Sequence, residues 1–348
     1  MGLQVILGYS FWGFLGSGVV DTPDGGRSHR RALIDGLRER GHRVVFLQAN
    51  RDRDEAHLDL TPIYDWDAGY PDIDVLFLEW RWPIPGRNTT TCGTPGHTCD
   101  LHRQQQLLDV YSARGVPVLL WDKDRQLPAE HPIRRAPAVA VCEPALHPAP
   151  GAVSLLFPVA DEALDGADPV TLTKLRRDLP LVYIGNQYDR DEAFDRHFAP
   201  AARRHTHLIA GKWPRSSQWS DLNFAGRIAF DAVDRLYRRS VATVLLLPDR
   251  YASVGHMTQR LFEAVLAGCL PLTPATIREA SRFTPRQLHI SDGDDAANRL
   301  EQLLAVVGEQ DHAEVLHACL ARLDQFRLSR QLDTVEHTLT GLALRRVG

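Results

Sequence analysis

Short apolar runs alternate with amphipathic segments throughout the first half of the chain. The runs predict buried strands at residues 3–7, 44–47, 75–78, 118–121 and 138–142. Apolar residues at helical spacing predict helices at 28–40 and 101–114. Because strand, helix and strand follow one another, this half is predicted to form βαβ units around a parallel sheet.

The same alternation restarts in the second half after an interruption. Residues 158–168 are acidic and contain few large apolar side chains, which is typical of a connection between domains. Strands are then predicted at 181–184, 207–210 and 244–247, with helices at 191–203 and 230–239 and a further helix beginning near Thr258. We therefore predict an α/β protein with a Rossmann-like domain at 1–160, a linker at 161–178, a second Rossmann-like domain at 179–325 and a helical tail at 326–348. Two such domains are expected to face a central cleft that holds the binding site.

Composition narrows the class of protein. The 348 residues are 44% hydrophobic and 24% charged, as in a soluble globular protein. The formal net charge of -4 argues against a generally cationic surface, although it allows one basic face. No apolar run is long enough to span a bilayer, residues 1–10 lack the features of a signal peptide, and five cysteines fit reduced thiols. We expect a cytoplasmic protein with no membrane partner.

The segment 243–274 has the pattern of an anion-binding site. An apolar run ends at Pro248, Gly255 lies in the following loop, and a helix is predicted to begin near Thr258. Such a loop directs backbone N–H groups and the positive end of a helix dipole at a phosphate. Arg260 adds a guanidinium and Glu263 follows one turn later, with His256 and Thr258 beside the loop. The alternative is that Arg260 and Glu263 form an ordinary surface ion pair.

The sequence Arg-x-x-Glu-Ala at 260–264, followed by Ala-Gly-Cys and an apolar strand, resembles the donor-binding segment of GT-B glycosyltransferases. The resemblance is strongest to the branch that contains the spore-maturation CgeB-type enzymes. It implies a GT-B fold, a nucleotide-sugar donor (most often a UDP-sugar) and a role for Glu263 in binding the ribose. The loops at 8–16, 22–26 and 78–88 are also similar to predicted glycosyltransferases of phages and bacteria, which implies a hydroxymethylated pyrimidine in duplex DNA as one acceptor.

Other residues at predicted strand ends could contribute to the donor site. Gly185, Asn186 and Arg190 follow the strand at 181–184, and Lys212, one of only three lysines, follows the strand at 207–210. A guanidinium and an ammonium at these positions suit a diphosphate. Helix capping by Asn186, a solvated Arg190 and an ordinary loop at Lys212 are the alternatives.

An inverting transferase requires a base near the acceptor hydroxyl, and a carboxylate or histidine can supply it. The candidates are Asp100, Glu79, Asp24 and His29. Asp100 also suits a helix N-cap, and Asp24 suits a turn. A retaining enzyme would not need this base, so the stereochemistry stays open.

The sequence predicts no obligatory metal, because no Asp-x-Asp motif follows a donor strand. Cys92, His97, Cys99 and His102 leave two interpretations open, a zinc site or free thiols in a loop, since their spacing matches no common zinc finger. The glycines of 8–26 lack the spacing of a dinucleotide fingerprint, which disfavours NAD.

Three classes of function therefore remain. The first is glycosyl transfer from a nucleotide-sugar to modified DNA bases. The second is the same chemistry on a small metabolite or cell-surface glycan. The third is a nucleotide-sugar binder without transfer, or an epimerase.

Overall fold

The computed structural model describes residues 4–16 and 26–347, so Asp24 lies outside the described residues. These residues form two compact units. Unit 1 contains 4–16, 30–156 and 328–347, and unit 2 contains 26–29 and 157–327. Each unit is built on its own parallel sheet.

The elements are numbered in chain order. The strands are β1 (Ile6–Ser10), β2 (Arg43–Phe46), β3 (Asp65–Trp66), β4 (Val75–Glu79), β5 (Val118–Trp121), β6 (Val139–Glu143), β7 (Val153–Ser154), β8 (Leu179–Ile184), β9 (His207–Ala210), β10 (Phe224–Gly226), β11 (Ser240–Val244), β12 (Leu270–Pro274) and β13 (His289–Ile290). The helices are α1 (Gly26–Glu39), α2 (Arg51–Asp54), α3 (Asp100–Ala113), α4 (Asp161–Asp165), α5 (Pro169–Thr173), α6 (Asp191–Ala193), α7 (Ala199–Arg204), α8 (Ala232–Arg239), α9 (Asp249–Ala252), α10 (Arg260–Leu266), α11 (Gly293–Ala305), α12 (Gln310–Arg322) and α13 (Leu328–Val347).

Unit 1 has the strand order β3-β2-β1-β4-β5-β6-β7. Its central strands β4 and β5 are buried at every position, because helices cover both faces of a parallel sheet. On one face, Leu107 and Tyr111 of α3 belong to the same core cluster as Leu76 and Val118 of the sheet. The loops at 11–16, 80–99 and 122–127 follow the carboxyl ends of β1, β4 and β5.

The last helix, α13, belongs to unit 1 although the preceding 171 residues, 157–327, belong to unit 2. Gly36 of α1 allows a close approach, since a Cβ there would lie 2.9 Å from Leu332 Cδ1. Arg40 adds ion pairs of 2.9 Å to Asp333 and to Glu336. The tail predicted at 326–348 is therefore a packed helix.

Unit 2 has the strand order β10-β9-β8-β11-β12-β13. The chain first adds β9 and β10 on one side of β8 and then β11, β12 and β13 on the other, so the order reverses beside β8. Ligands of doubly wound folds bind outside the carboxyl ends of the strands at this reversal. The ends of β8, β9 and β11 are therefore the expected location of a site within this unit.

Several local predictions differ from the structure, and the strand predicted at 3–7 lies at Ile6–Ser10. The strand predicted at 244–247 lies earlier, at Ser240–Val244, because Ser240 to Ala242 are buried and pair with β8. The helix predicted at 191–203 is divided into α6, a π-helical turn at Phe194–Phe198, and α7.

Residues 161–178, predicted as a linker, contain α4 and α5. Asp168 caps α5 by accepting hydrogen bonds from the N–H groups of Val170 and Thr171. Arg177 donates to the carbonyl oxygens of Ser240 and Ala267, which ties this segment to the rest of unit 2. Within the described ranges, no helix combines the length and apolarity that crossing a membrane requires.

Candidate functional site

The ends of β8 and β9 are joined by side-chain hydrogen bonds. Asn186 Oδ1 accepts from the backbone N–H of Lys212 at 2.8 Å, and Trp213 Nε1 donates to the Gly185 carbonyl at 2.8 Å. Gly211 has a φ of +137°, and a Cβ there would lie 2.1 Å from the Gly185 oxygen. Gly211 is thus required for this close approach. It was not among the site residues predicted from the sequence, where its only signal was a glycine directly after an apolar strand.

The Arg260 side chain lies against the end of β8. Its Nε donates to the Ile184 carbonyl, and a Cβ on Gly185 would lie 2.6 Å from the Arg260 Nε and Nη2 atoms. No carboxylate lies within ion-pairing distance of Arg260 in the described part of the chain, so the predicted alternative of an Arg260–Glu263 pair is not formed. Among the same residues the two Nη groups have no hydrogen-bond partner, which leaves them available to an anion.

Glu263 lies one turn after Arg260 on α10. The hydroxyl of Ser28, which is also part of unit 2, donates to Glu263 Oε1. Burial raises the pKa of Glu263, while the Ser28 hydrogen bond and the Arg260 charge act in the opposite direction. Glu263 can still accept hydrogen bonds through Oε2.

The loop before α10 contributes one buried hydroxyl. Gly255 has a φ of +63°, which turns the chain toward the helix. Thr258 Oγ1 is buried and has no hydrogen-bond partner among the described residues, a costly arrangement unless a ligand supplies one. His256, in contrast, is fully buried and stacks on Tyr251 with a centroid distance of 3.9 Å. Its ring therefore packs inside the unit.

Arg190 is buried and holds two strand ends together. It donates to the Asn186 carbonyl at 2.5 Å and to the Leu246 carbonyl at 3.4 Å. Burial lowers its pKa, and the neighbouring Arg260 acts in the same direction. These contacts favour a supporting role for Arg190 over the direct phosphate contact expected from its position. Lys212 is exposed, and within the described chain its ammonium forms no ion pair or hydrogen bond.

In unit 1, Glu79 is the centre of a buried ion cluster. It accepts from Arg30 Nε and Nη2 at 2.8 Å each and from the Tyr9 hydroxyl at 3.0 Å, and its Oε2 lies 2.6 Å from Lys123 Nζ. Burial alone would raise the pKa of Glu79, but the charges of Arg30 and Lys123 outweigh it and hold the pKa at about 2. Such a weak base suits a structural role better than proton abstraction.

Asp100 is the first residue of α3, and its carboxylate is held by three donors. Oδ2 accepts from Arg81 Nε at 3.0 Å and from Asn88 Nδ2 at 3.3 Å, and Oδ1 accepts from Thr98 Oγ1 at 3.0 Å. The helix cap is Cys99, so the predicted N-cap role of Asp100 is displaced by one residue. The hydrogen bonds orient the carboxylate at the carboxyl edge of the unit 1 sheet. His29, in unit 2, is buried and stacks on Phe157 with a centroid distance of 4.1 Å.

Three guanidinium groups surround the Trp12 ring in unit 1. Arg51 lies 4.4 Å, Arg87 4.8 Å and Arg81 5.3 Å from its centroid. Of these, Arg51 also pairs with Glu55, and Arg81 with Asp100. Cationic groups interleaved with an aromatic ring suit contact with a negatively charged ligand.

No family model matches the sequence, and no curated protein sequence matches it either. The proposed relation to the CgeB-type branch therefore stays a prediction. Solved structures do match over nearly the whole chain. The DNA modifying enzyme β-glucosyltransferase, studied with and without its substrate uridine diphosphoglucose, is 11% identical, covers 98% of this chain and 100% of its own, and has a TM-score of 0.62.

Two further structures give the same result. T4 phage BGT in complex with its UDP-glucose substrate is 11% identical over 97% of this chain and 99% of its own, with a TM-score of 0.65. Anabaena HepE in complex with UDP-glucose is 8% identical over 97% of this chain and 100% of its own, with a TM-score of 0.55. At such identities the likeness establishes the architecture. The chain therefore has the GT-B fold, with a Rossmann-like sheet in each of its two units.

Proposed function

We propose that this protein transfers a hexose from a UDP-sugar to a hydroxyl acceptor, and that the acceptor is a hydroxymethylated pyrimidine in DNA. One observation carries the proposal, namely the Arg260 guanidinium held beside Gly185 with its Nη groups available. Its position at the reversal of strand order is where doubly wound folds bind nucleotides. Neighbours of the same fold are described with UDP-glucose bound, which supports that donor.

The donor is bound by unit 2 in this proposal. Arg260 contacts the diphosphate, the Thr258 hydroxyl gains the hydrogen-bond partner that it lacks, and Lys212 adds an exposed positive charge. Glu263 accepts hydrogen bonds from the ribose hydroxyls through its carboxylate. Gly185 and Gly211 keep the two strand ends close enough for backbone N–H groups to approach the ligand.

The acceptor is bound by unit 1. The cluster of Arg51, Arg81 and Arg87 around Trp12 supports a polyanionic acceptor, although the formal charge of the chain is -4. Two other arginine-rich segments, at 27–31 and 131–135, contribute less, because Arg30 is bound to Glu79 and Arg134 to Glu143. One of the neighbours is itself a DNA modifying enzyme, which supports the same acceptor.

Asp100 is the proposed base of an inverting reaction. The acceptor O–H bond breaks as its proton passes to the Asp100 carboxylate, and the acceptor oxygen forms a bond to C1 of the sugar. The bond between C1 and the diphosphate oxygen breaks, and UDP leaves with that electron pair. The step needs no metal to balance. The five cysteines suit the reducing cytoplasm, where UDP-sugars and DNA are both present.

The proposed reaction is tested by mass spectrometry of digested nucleosides. The full-length protein is incubated with UDP-glucose and duplex DNA that contains hydroxymethylcytosine, and the same DNA with unmodified cytosine is the control. We expect the mass of one hexose to appear on the hydroxymethylated nucleoside alone. Transfer to a small metabolite or glycan but not to DNA would move the acceptor to that class. Binding or epimerisation of UDP-sugars without any transfer would overturn the proposal.

Replacing Arg260 by alanine is expected to weaken UDP-glucose binding about 10- to 100-fold, because charge-assisted hydrogen bonds contribute about 1.5–3 kcal/mol. Gly185→Ala should weaken it similarly while keeping every charge, since its Cβ would displace the guanidinium. Isothermal titration calorimetry measures both. Arg239→Ala, which removes an exposed arginine paired with Asp178 in the same unit, is the matched control. Equal affinities for all four proteins would contradict the assignment of Arg260.

A further inference from the structure

The loop between β4 and α3 and the first turn of α3 bring together four side chains that the proposed transfer does not use. They are Cys92, His97, Cys99 and His102, and their ligand atoms all lie within 4.8 Å of one another. Cys92 Sγ is 3.2 Å from His102 Nδ1 and 3.9 Å from Cys99 Sγ. Around a tetrahedral zinc ion with ordinary bond lengths, neighbouring ligand atoms are roughly 3.3–3.8 Å apart. The group therefore has the dimensions of a zinc site.

The hydrogen bonds of His97 define which of its ring nitrogens is available. Thr90 Oγ1 donates to the Arg87 carbonyl at 3.4 Å, so the same oxygen accepts from His97 Nδ1, which lies 3.0 Å away. With the proton on Nδ1, the lone pair is on Nε2. That atom is buried and has no hydrogen-bond partner among the described residues. An outer partner that fixes the tautomer in this way is usual for histidines that bind zinc.

The backbone of the loop turns repeatedly around these side chains. Gly86, Gly93 and Gly96 have φ values of +74°, +87° and +81°, and a Cβ at any of them would meet nothing within 4 Å. Both cysteines are exposed, and neither forms a disulfide. A loop composed of successive turns is the kind of segment that a structural metal stabilises.

We propose that Cys92, His97, Cys99 and His102 bind one structural Zn²⁺. Two thiolates neutralise the ion, and two imidazoles complete a closed tetrahedron without a position for water, so the site is structural. Cysteine and histidine select zinc over magnesium or calcium, which prefer oxygen ligands.

The metal site lies next to Asp100. Cys99 is the N-cap residue of α3 and His102 is in its first turn, while Cys92 and His97 come from the preceding loop. The same loop supplies Asn88 and Thr98, which donate to the Asp100 carboxylate. Bound zinc would therefore join the loop to the helix and stabilise the orientation of Asp100.

Metal content tests the proposal without any substrate, so its outcome is independent of the transfer assay. The full-length protein, purified without a histidine tag, is expected to contain about one zinc per chain by plasma mass spectrometry. His97→Gln and Cys92→Ser should each reduce this at least about tenfold. His317 is exposed on α12, and the control variant His317→Gln should leave the zinc content unchanged.

Cobalt distinguishes the predicted ligands from adventitious binding. Protein loaded with Co²⁺ should show the visible absorption of a tetrahedral site together with thiolate-to-cobalt charge transfer, and Cys92→Ser should lose part of the latter. Circular dichroism confirms that the variants are folded. The proposal would be overturned if the wild-type protein contained no zinc and instead had a Cys92–Cys99 disulfide. It would also be overturned if the variants at all four ligand positions kept their zinc.

Discussion

Replacing Glu79 by glutamine is expected to lower the free energy of unfolding by about 3 to 5 kcal/mol, since it removes one partner of a buried ion cluster. The side chain keeps its size, so no cavity forms. Arg30 and Lys123, which are almost completely buried, would lose the carboxylate that compensates their charges. Urea unfolding followed by circular dichroism measures the change.

The control for this variant is an exposed ion pair in the same unit. Arg43 and Asp65 lie 3.1 Å apart on β2 and β3, with side chains 64% and 56% exposed. Asp65→Asn should change the free energy of unfolding by less than about 0.5 kcal/mol. Equal losses for the two variants would show that the Glu79 cluster contributes no more than a surface pair.

The same cluster predicts how stability depends on pH. The pKa of Glu79 falls from its usual 4.5 to about 2 in the folded protein, so its contribution is complete above about pH 4.5. It is lost as the pH falls toward 2, because the unfolded chain takes up the proton first. The difference in stability between wild type and Glu79→Gln should therefore shrink over this range. Taking the difference also cancels the pH-dependent contributions that other groups make to both proteins. One such group is Asp122, because burial raises its pKa to about 6.

Replacing Asp100 by asparagine is expected to reduce kcat by about 10² to 10⁴-fold, the usual contribution of general base catalysis. The amide has the shape of the carboxylate but cannot take the acceptor proton. UDP-glucose affinity should change by less than about twofold, because the base role proposed for Asp100 concerns the acceptor and not the donor. Steady-state transfer kinetics and calorimetry together separate the two effects.

The matched control is Asp109→Asn, the same substitution at an exposed position of the same helix. It should retain the wild-type kcat. A normal kcat for Asp100→Asn would remove Asp100 from the proposed base role. Loss of UDP-glucose binding in that variant would instead mean that the substitution disturbs more than proton transfer.

Much of the fold was predictable because buried parallel strands have a strong local signal. The strands predicted at 118–121 and 207–210 have those same bounds in the structure, since both are short apolar runs between turns. The strand after α8 was misplaced because Val244 to Leu247 form the longest unbroken apolar run in this part of the sequence. Pairing with β8 and β12 instead selects Ser240–Val244, which includes the polar residues Ser240 and Thr243. The short helices α4 and α5 were missed because the acidic composition of their segment outweighed the capping signal at Asp168.

The candidate site residues divide in a similar way. Arg260, Glu263 and Gly185 were candidates from the sequence, because glycine and charge after an apolar strand have a local signature. Gly211 has the same signature but was overlooked, and its requirement depends on the distance to the Gly185 carbonyl. Arg190 and Glu79 were predicted to face a ligand or to act in catalysis, whereas their contacts with residues distant in sequence favour a supporting role for both.

The sequence by itself determined the two α/β halves and indicated the candidate segment from Gly255 to Glu263 and the group of two cysteines and two histidines, since each of these patterns lies within a short stretch of chain. Only the tertiary structure decided which charges are neutralised, which polar atoms remain available, and that the last helix returns to the first unit. The physical reason is that burial and pairing depend on distances between residues far apart in sequence. A carboxylate such as Glu79 has the same covalent chemistry in either role, and its neighbours determine whether it can accept a proton.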